Sequence, residues 1–231
     1  MASFVMEFEL IAGNQEINFL EKRFNTGSNI YNLCLEHCIK QLNKLKRKLS
    51  KNQKRLNKRL WATAPFVHST DFMNYGGFVS LDGEFKFTSE KSWDGVNYGA
   101  GAKDGALSTD GGAGNLKAEK GFYLLKANIS SLTWSAVLIQ TFGLIGSATD
   151  GGWDTSTPMT FDAAKSEYSI TATLKDGELK FRANDAWDVN LGGDPEHLTF
   201  GGANIAVKAG TYKITLSLSD AQKYTCTIAK P

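Results

Sequence analysis

The sequence predicts a mostly β protein: two β-sandwich modules in tandem, preceded by a basic amphipathic α-helix. Three observations carry this prediction. The charge is divided along the chain. Residues 1–60 hold 12 Lys and Arg against 5 Asp and Glu, a net of +7, while the remainder holds 14 against 19, a net of −5. Such asymmetry marks two segments of different chemistry. Past Trp61 the composition turns to Gly, Ser, Thr and aromatics in short alternating runs, and that later part repeats itself.

The N-terminal segment, residues 1–63, opens on "VMEFELIAG", which alternates like one strand. Over residues 30–60 the period becomes helical. Leu35, Leu42, Leu49 and Leu56 recur every seven residues, with Tyr31, Cys38, Leu45 and Asn52 between them. That is a narrow apolar stripe on a long helix. Lys40, Lys44, Lys46, Arg47, Lys48, Lys51, Lys54, Arg55, Lys58 and Arg59 occupy the other faces. The plain reading is a solvated helix whose stripe docks on a neighbour or on a second copy. The sharper reading is phosphate contact with nucleic acid through residues 40–59, since clustered Lys and Arg leave that footprint. No base-reading motif accompanies them.

"KRLWATAPFVHSTDF" holds the first proline and marks a boundary. Beyond it, "GFVSLDGEFKFTS", "GFYLLKANIS", "TWSAVLIQT", "YSITATLKDGELKF", "GTYKITLSL" and "YTCTIAK" read as strands. The Asp-Gly pairs at 82–83 and 176–177 are tight-turn signals. Strands separated by turns at about every 8–12 residues argue for an all-β sandwich.

The repeat is explicit. "DGEFKFTSEKSWDGVNYGAG" (82–101) matches "DGELKFRANDAWDVNLGGD" (176–194), pairing Phe87 with Phe181 and Trp93 with Trp187 at an offset of 94. "GGAGNLKAEKGFYLLKANISSLTW" (111–134) matches "GGANIAVKAGTYKITLSLSDAQKYT" (201–225), with Tyr123 opposite Tyr212 at an offset of 89. Repeats predict tandem modules, each with its own core. The expected division is a basic segment over 1–63, a truncated module over 64–140 and a complete one over 141–231. Only the second copy has the long lead-in "FGLIGSATDGGWDTSTPMTFDAAKSEYSI". The first copy therefore lacks an opening strand, and a missing strand leaves an open edge.

"FGLIGSATDGGWDTSTPM", "LKFRANDAWDVNLGGD", "GGANIAVKAGTYKITLSLS" and "YGAGAKDGALSTDGGAGNLKAEKGFY" resemble the SusE/SusF family of surface glycan-binding lipoproteins, over about residues 64–231. The resemblance implies immunoglobulin-like β-sandwich modules that bind starch-like α-glucans without catalysis. It further implies a place on the outer-membrane surface among the proteins of a glycan-uptake complex. No signal peptide or lipid-attachment motif stands in the sequence to match that location. Residues 1–60 are unlike that family. "LEKRFNTGSNIYNLCLEHCIKQLNKLKRK" resembles the N-terminal segment of transposon-encoded RNA-guided nucleases.

A sugar ring offers an apolar C–H face and a rim of hydroxyls. Its site needs a flat aromatic with planar donors and acceptors beside it. Trp187, Arg182 and Asn184 meet that need, and the spacing of 182 and 184 predicts one strand face for both. Asn190 lies in the same polar run. Trp153, in the glycine-flanked "DGGWD", offers a second platform, and Lys208 offers a donor. The competing reading makes Trp187 a core residue. Trp93 is kept in the first copy, while Thr88 and Glu90 replace Arg182 and Asn184 there. By that comparison Trp187 leans toward scaffold, and a ligand of the first copy would meet Trp93, Asn97 and Tyr98.

Other chemistry is poorly provided for. Cys34, Cys38 and Cys226, with His37, do not make a four-ligand metal set. No run reaches the roughly 18–20 apolar residues of a membrane helix. Asp185, Asp188 and Asp194 sit in turn-rich sequence, where Asp serves the backbone. Neither a nucleophile elbow nor a phosphate loop is present. The expectation is a binding protein with no enzymatic activity and no cofactor.

Overall fold

The computed structural model describes residues 43–48, 50–51, 65 and 67–231. Residues 43–48 and 50–51 are helical and exposed, with Leu45 55% accessible. The rest of the expected basic helix, and the N-terminal strand, lie outside the described residues. Two compact units emerge: residues 1–64 with 89–95, and residues 65–88 with 96–231. The second unit contains every strand named below.

The second repeat is a two-sheet sandwich. One sheet holds β7 (Phe142–Ile145), β8 (Thr157–Pro158), β11 (Gly177–Ala183), β12 (Asn190–Asp194) and β13 (His197–Phe200) in the order β13-β12-β11-β7-β8, with β14 (Ile205–Val207) also pairing β11. The other holds β9 (Thr160–Asp162), β10 (Glu167–Leu174), β15 (Gly210–Ser217) and β16 (Thr225–Ala229) in the order β16-β15-β10-β9. Every pairing is antiparallel. Alternation sends Tyr168 and Leu174 of β10, and Ile214 and Leu216 of β15, into the space between the sheets. Leu179, Phe181 and Ala183 of β11 meet them there with Phe142 and Leu144. Pro158 sits on the edge strand β8, where a missing N–H costs no ladder bond.

The Asp-Gly at 176–177 does not close a hairpin. β10 and β11 belong to different sheets, so the pair marks a crossing between layers. Asp176 Oδ1 fixes the crossing by accepting from the Ala209 N–H at 2.6 Å. The first repeat treats the same signal differently. There β1 (Asn74–Phe85) runs straight through Asp82 and Gly83, opposite β5 (Leu116–Asn128). A register shift between Leu81 and Gly83, with Gly83 at φ 95°, absorbs the irregularity. Thus one long ladder replaces two pairings of the second repeat, β10 with β15 and β11 with β14.

β6 (Thr133–Leu138) completes the sheet β1-β5-β6. A small sheet of β2 (Phe87–Thr88), β3 (Asn97–Ala100) and β4 (Leu107–Ser108) faces it. One face of β1-β5-β6 carries Val79, Tyr123 and Leu125, which pack with Phe85, Phe87 and Trp134. The other face carries Phe78, Phe122 and Leu124, and these enter the same cluster as Phe142, Tyr168 and Tyr224. Phe122 lies 4.7 Å from Phe161 and Phe78 lies 5.2 Å from Tyr224, ring centre to ring centre. The apolar core is therefore continuous from the first repeat into the second.

A tryptophan platform braced by a buried arginine

Two segments of the second repeat bring exposed indoles together. The first is the loop between β7 and β8. Thr149 N–H and Oγ1–H both donate to the Gly146 carbonyl, each at 2.9 Å, and Gly146 N–H donates to the Gly152 carbonyl at 2.8 Å. Gly152 takes φ 58°, a left-handed conformation that glycine adopts without a Cβ penalty. The chain then turns outward at Trp153, which is 37% accessible. Thr155 N–H donates back to the Gly151 carbonyl at 3.2 Å.

The second segment is the turn between β11 and β12. Asn184 and Asp185 both sit at φ 52°. Ala186 N–H donates to Ala183 O at 3.0 Å, and Ala183 N–H to Val189 O at 2.9 Å. Trp187 stands at the apex, 47% accessible and outside every buried cluster. The scaffold reading of Trp187 as a core residue is thereby overturned. Its ring centre lies 6.2 Å from that of Trp153, with 35° between the planes. The pair makes a bent apolar surface open to solvent.

Arg182 lies behind this surface. On β11 it alternates with Phe181 and Ala183, so it points away from the core. Its side chain is nonetheless only 6% accessible. The guanidinium sits 5.1 Å from the centre of the Trp187 ring. Nε donates to Ser156 Oγ at 2.9 Å and Nη2 to the Asp154 carbonyl at 3.3 Å. Asp185 Oδ1 lies 3.8 Å from Nη2 and partly compensates the charge. Gly143, paired with Arg182 across the ladder, makes room for this arrangement: a Cβ there would crowd Ser156 and the Thr157 carbonyl. Lys180, two residues back on the same face, is also buried, and burial lowers its pKa below the ordinary lysine value.

The remaining predicted residues are disposed otherwise. Asn184 does not share a strand face with Arg182, because β11 ends at Ala183 and the left-handed backbone redirects the next side chain. Its Oδ1 accepts from Gln140 N–H at 2.8 Å and Thr141 N–H at 3.2 Å, and Nδ2 donates to Leu138 O at 2.7 Å. Asn184 thus binds the connection between β6 and β7. Lys208 is exposed and lies 3.8 Å from Asp176, beside the Gly177 end of β11. At about 3.3 Å per residue, that end is roughly 16 Å from Arg182. The structure does not bring Lys208 to the tryptophan pair.

In the first repeat, Trp93 is 44% accessible and falls in the unit containing residues 89–95. Asn97 and Tyr98 belong to the other unit, where Asn97 pairs with Thr88 and Tyr98 packs against Leu107, Leu116 and Ala127. Two contributors to the second-repeat site were given no role by the sequence reading. Ser156 is an ordinary loop serine until folding sets it under Arg182. Asn190, paired with Arg182, donates from Nδ2 to the Trp187 carbonyl at 2.8 Å. Its place beside the tryptophan in the polar run was the available signal.

The surface offers the chemistry that a ligand with an apolar face and a hydroxyl rim requires. The indoles supply rigid area, and Asp154, Asp185 and Asp188, exposed and close to them in sequence, offer carboxylate acceptors. Among the described residues no group of His, Cys, Asp and Glu is arranged to hold a metal ion. No described helix is long and apolar enough to cross a membrane.

Residues 141–227 match the model of the family described as SusF/SusE starch-specific CBMs, or carbohydrate-binding modules. Among solved structures, the crystal structure of SusF from Bacteroides thetaiotaomicron is similar at 20% identity and a TM-score of 0.44. That match covers 67% of this chain and 40% of the SusF chain. No curated protein matches the chain significantly.

Proposed function

We propose that the protein holds α-glucan chains on the Trp153–Trp187 surface without cleaving them, a reading supported by the match of residues 141–227 to the model of SusF/SusE starch-specific carbohydrate-binding modules. The observation that carries this reading is the exposed, bent indole pair, with centres 6.2 Å apart. Consecutive sugar rings of a curved glucan stack on successive indoles, and the bend between the planes favours a coiled chain over a flat ribbon. Arg182 supports the platform from behind, Asn190 secures the Trp187 turn, and Asn184 ties that turn to the connection before β7. Lys208, beside the Gly177 end of β11, meets a different stretch of ligand.

The cell-surface setting is part of the same proposal. The SusE/SusF family consists of surface-exposed outer-membrane lipoproteins. A protein of this kind retains polysaccharide beside the proteins that import it. In the first repeat, Asn97 and Tyr98 are the candidate positions for a second, different contact.

Native electrophoresis of the full chain in gels with and without soluble starch tests the reading. Starch should retard the wild type, and Trp153→Ala should migrate as in the plain gel. Loss of an anchoring tryptophan is expected to weaken binding at least about tenfold, or ~1.4 kcal/mol. Wild-type migration unaffected by starch, amylopectin and glycogen alike would reject the α-glucan assignment.

A further inference from the structure

We infer that Arg182 is the positioning residue of the tryptophan platform: it sets the angle between Trp153 and Trp187 and does not itself contact the glycan. The inference deepens the α-glucan reading above and rests on it for its ligand. Three observations converge. The Arg182 side chain is 6% accessible, so its donors are turned away from solvent. Those donors are already engaged on the loop that carries Trp153: Nε on Ser156 Oγ at 2.9 Å and Nη2 on the Asp154 carbonyl at 3.3 Å. The central carbon of the same guanidinium lies 5.1 Å from the Trp187 ring centre. One rigid planar group thus touches the supports of both indoles, and no other described side chain is hydrogen-bonded to the 153–156 loop from β11.

The choice of arginine follows. A buried cation is costly unless it is hydrogen-bonded and paired, and here the loop accepts two hydrogen bonds while Asp185 lies 3.8 Å away. The loop is therefore held wherever the guanidinium requires it. Lysine would supply a point charge that neither forks to two acceptors nor stacks on an indole. The sequence repeat shows the same dependence from the other side. The first copy has Thr88 where the second has Arg182, and it has no counterpart of the "DGGWD" loop. Arginine and the second tryptophan occur together or not at all.

The test separates positioning from contact by reading the indole pair directly. Two indoles at this separation give an exciton couplet in circular dichroism, identified here as the component that Trp153→Phe removes. In the full chain, Arg182→Lys should retain the sheet signal and a cooperative thermal transition. It should lose the couplet and be retarded by starch at least about tenfold less well. Ser156→Ala, which removes a single hydrogen bond, should weaken both readouts partially and carries the same test if Arg182→Lys fails to fold. A retained couplet with lost retardation would overturn the inference, because Arg182 would then be a direct ligand group. A retained couplet with full retardation would overturn it as well. If wild type is not retarded by any α-glucan while Arg182→Lys still loses the couplet, the glycan reading fails and the positioning role stands.

Discussion

Asn184 shows how one side chain can look like a ligand group and serve the backbone instead. It carries an amide, as a sugar-binding residue should, and it lies three positions from an exposed tryptophan. Folding commits that amide to Gln140, Thr141 and Leu138, across the connection between repeats. Two effects add at this residue. Losing hydrogen bonds to backbone groups costs about 1–2 kcal/mol, and placing a non-glycine side chain at φ 52° costs about another 1–2 kcal/mol when no local hydrogen bond offsets it. Asn184→Ala should therefore lower the melting temperature more than Asn184→Gly, which loses only the bonds. Thermal denaturation of both variants measures the difference. A larger drop for glycine would show that backbone conformation is not the constraint.

Among elements, the loop between β7 and β8 is the most demanding piece of the site. It reverses through Gly151 and Gly152, and the internal bonds among Gly146, Thr149 and Gly152 fix its shape before any ligand arrives. At Gly152 no neighbour crowds a Cβ, so space is not the limitation there. The left-handed φ is, and Gly152→Ala should cost about 1–2 kcal/mol. The larger consequence is geometric, since relaxation of φ swings Trp153 relative to Trp187. Starch retardation should accordingly fall much further than stability does. A variant that loses the predicted stability yet binds as wild type would show that the loop readjusts around the ligand.

At the scale of the whole molecule, the continuous core governs cooperativity. Phe122 packs on Phe161 and Tyr168 as well as on its own repeat. Phe122→Ala should cost about 3–5 kcal/mol. Calorimetry should show the strand-bearing unit melting in a single transition at lower temperature, not one repeat separating from the other. Two resolved transitions from these residues would contradict a shared core.

Alkaline stability belongs to the same scale, because the groups concerned lie in that core. Burial pushes the Cys226 thiol up from 9.0 to about 12, and the Tyr168 and Tyr224 phenols from 10.0 to about 12. The folded state holds these protons after the unfolded chain has released them, so their contribution is complete below the unfolded values. It is then lost as pH rises from about 9 toward about 12. Cys226 should begin the decline. Melting curves of Cys226→Ala should start to fall nearer pH 10, when only the tyrosines remain.

The sequence by itself determined the β class and the repeat. Those features are local or periodic: strand alternation, turn residues and two copies of one pattern survive without knowledge of contacts. Tertiary structure decided what each residue does. The Asp-Gly pairs are identical dipeptides, yet one crosses between sheets and the other lies inside a strand, because the ladders beside them differ. Trp187 and its repeat counterpart Trp93 are both exposed, but Trp187 gains a second indole and a guanidinium beside it, because the loop and Arg182 that frame it come from the lead-in and from a position the first copy does not share. Ser156 and Asn190 gain their roles only when a loop and a strand, 26 and 8 residues from Arg182 in sequence, are brought beside it. Distance along the chain carries no sign of such neighbours; the pairing of strands across the sheet creates them.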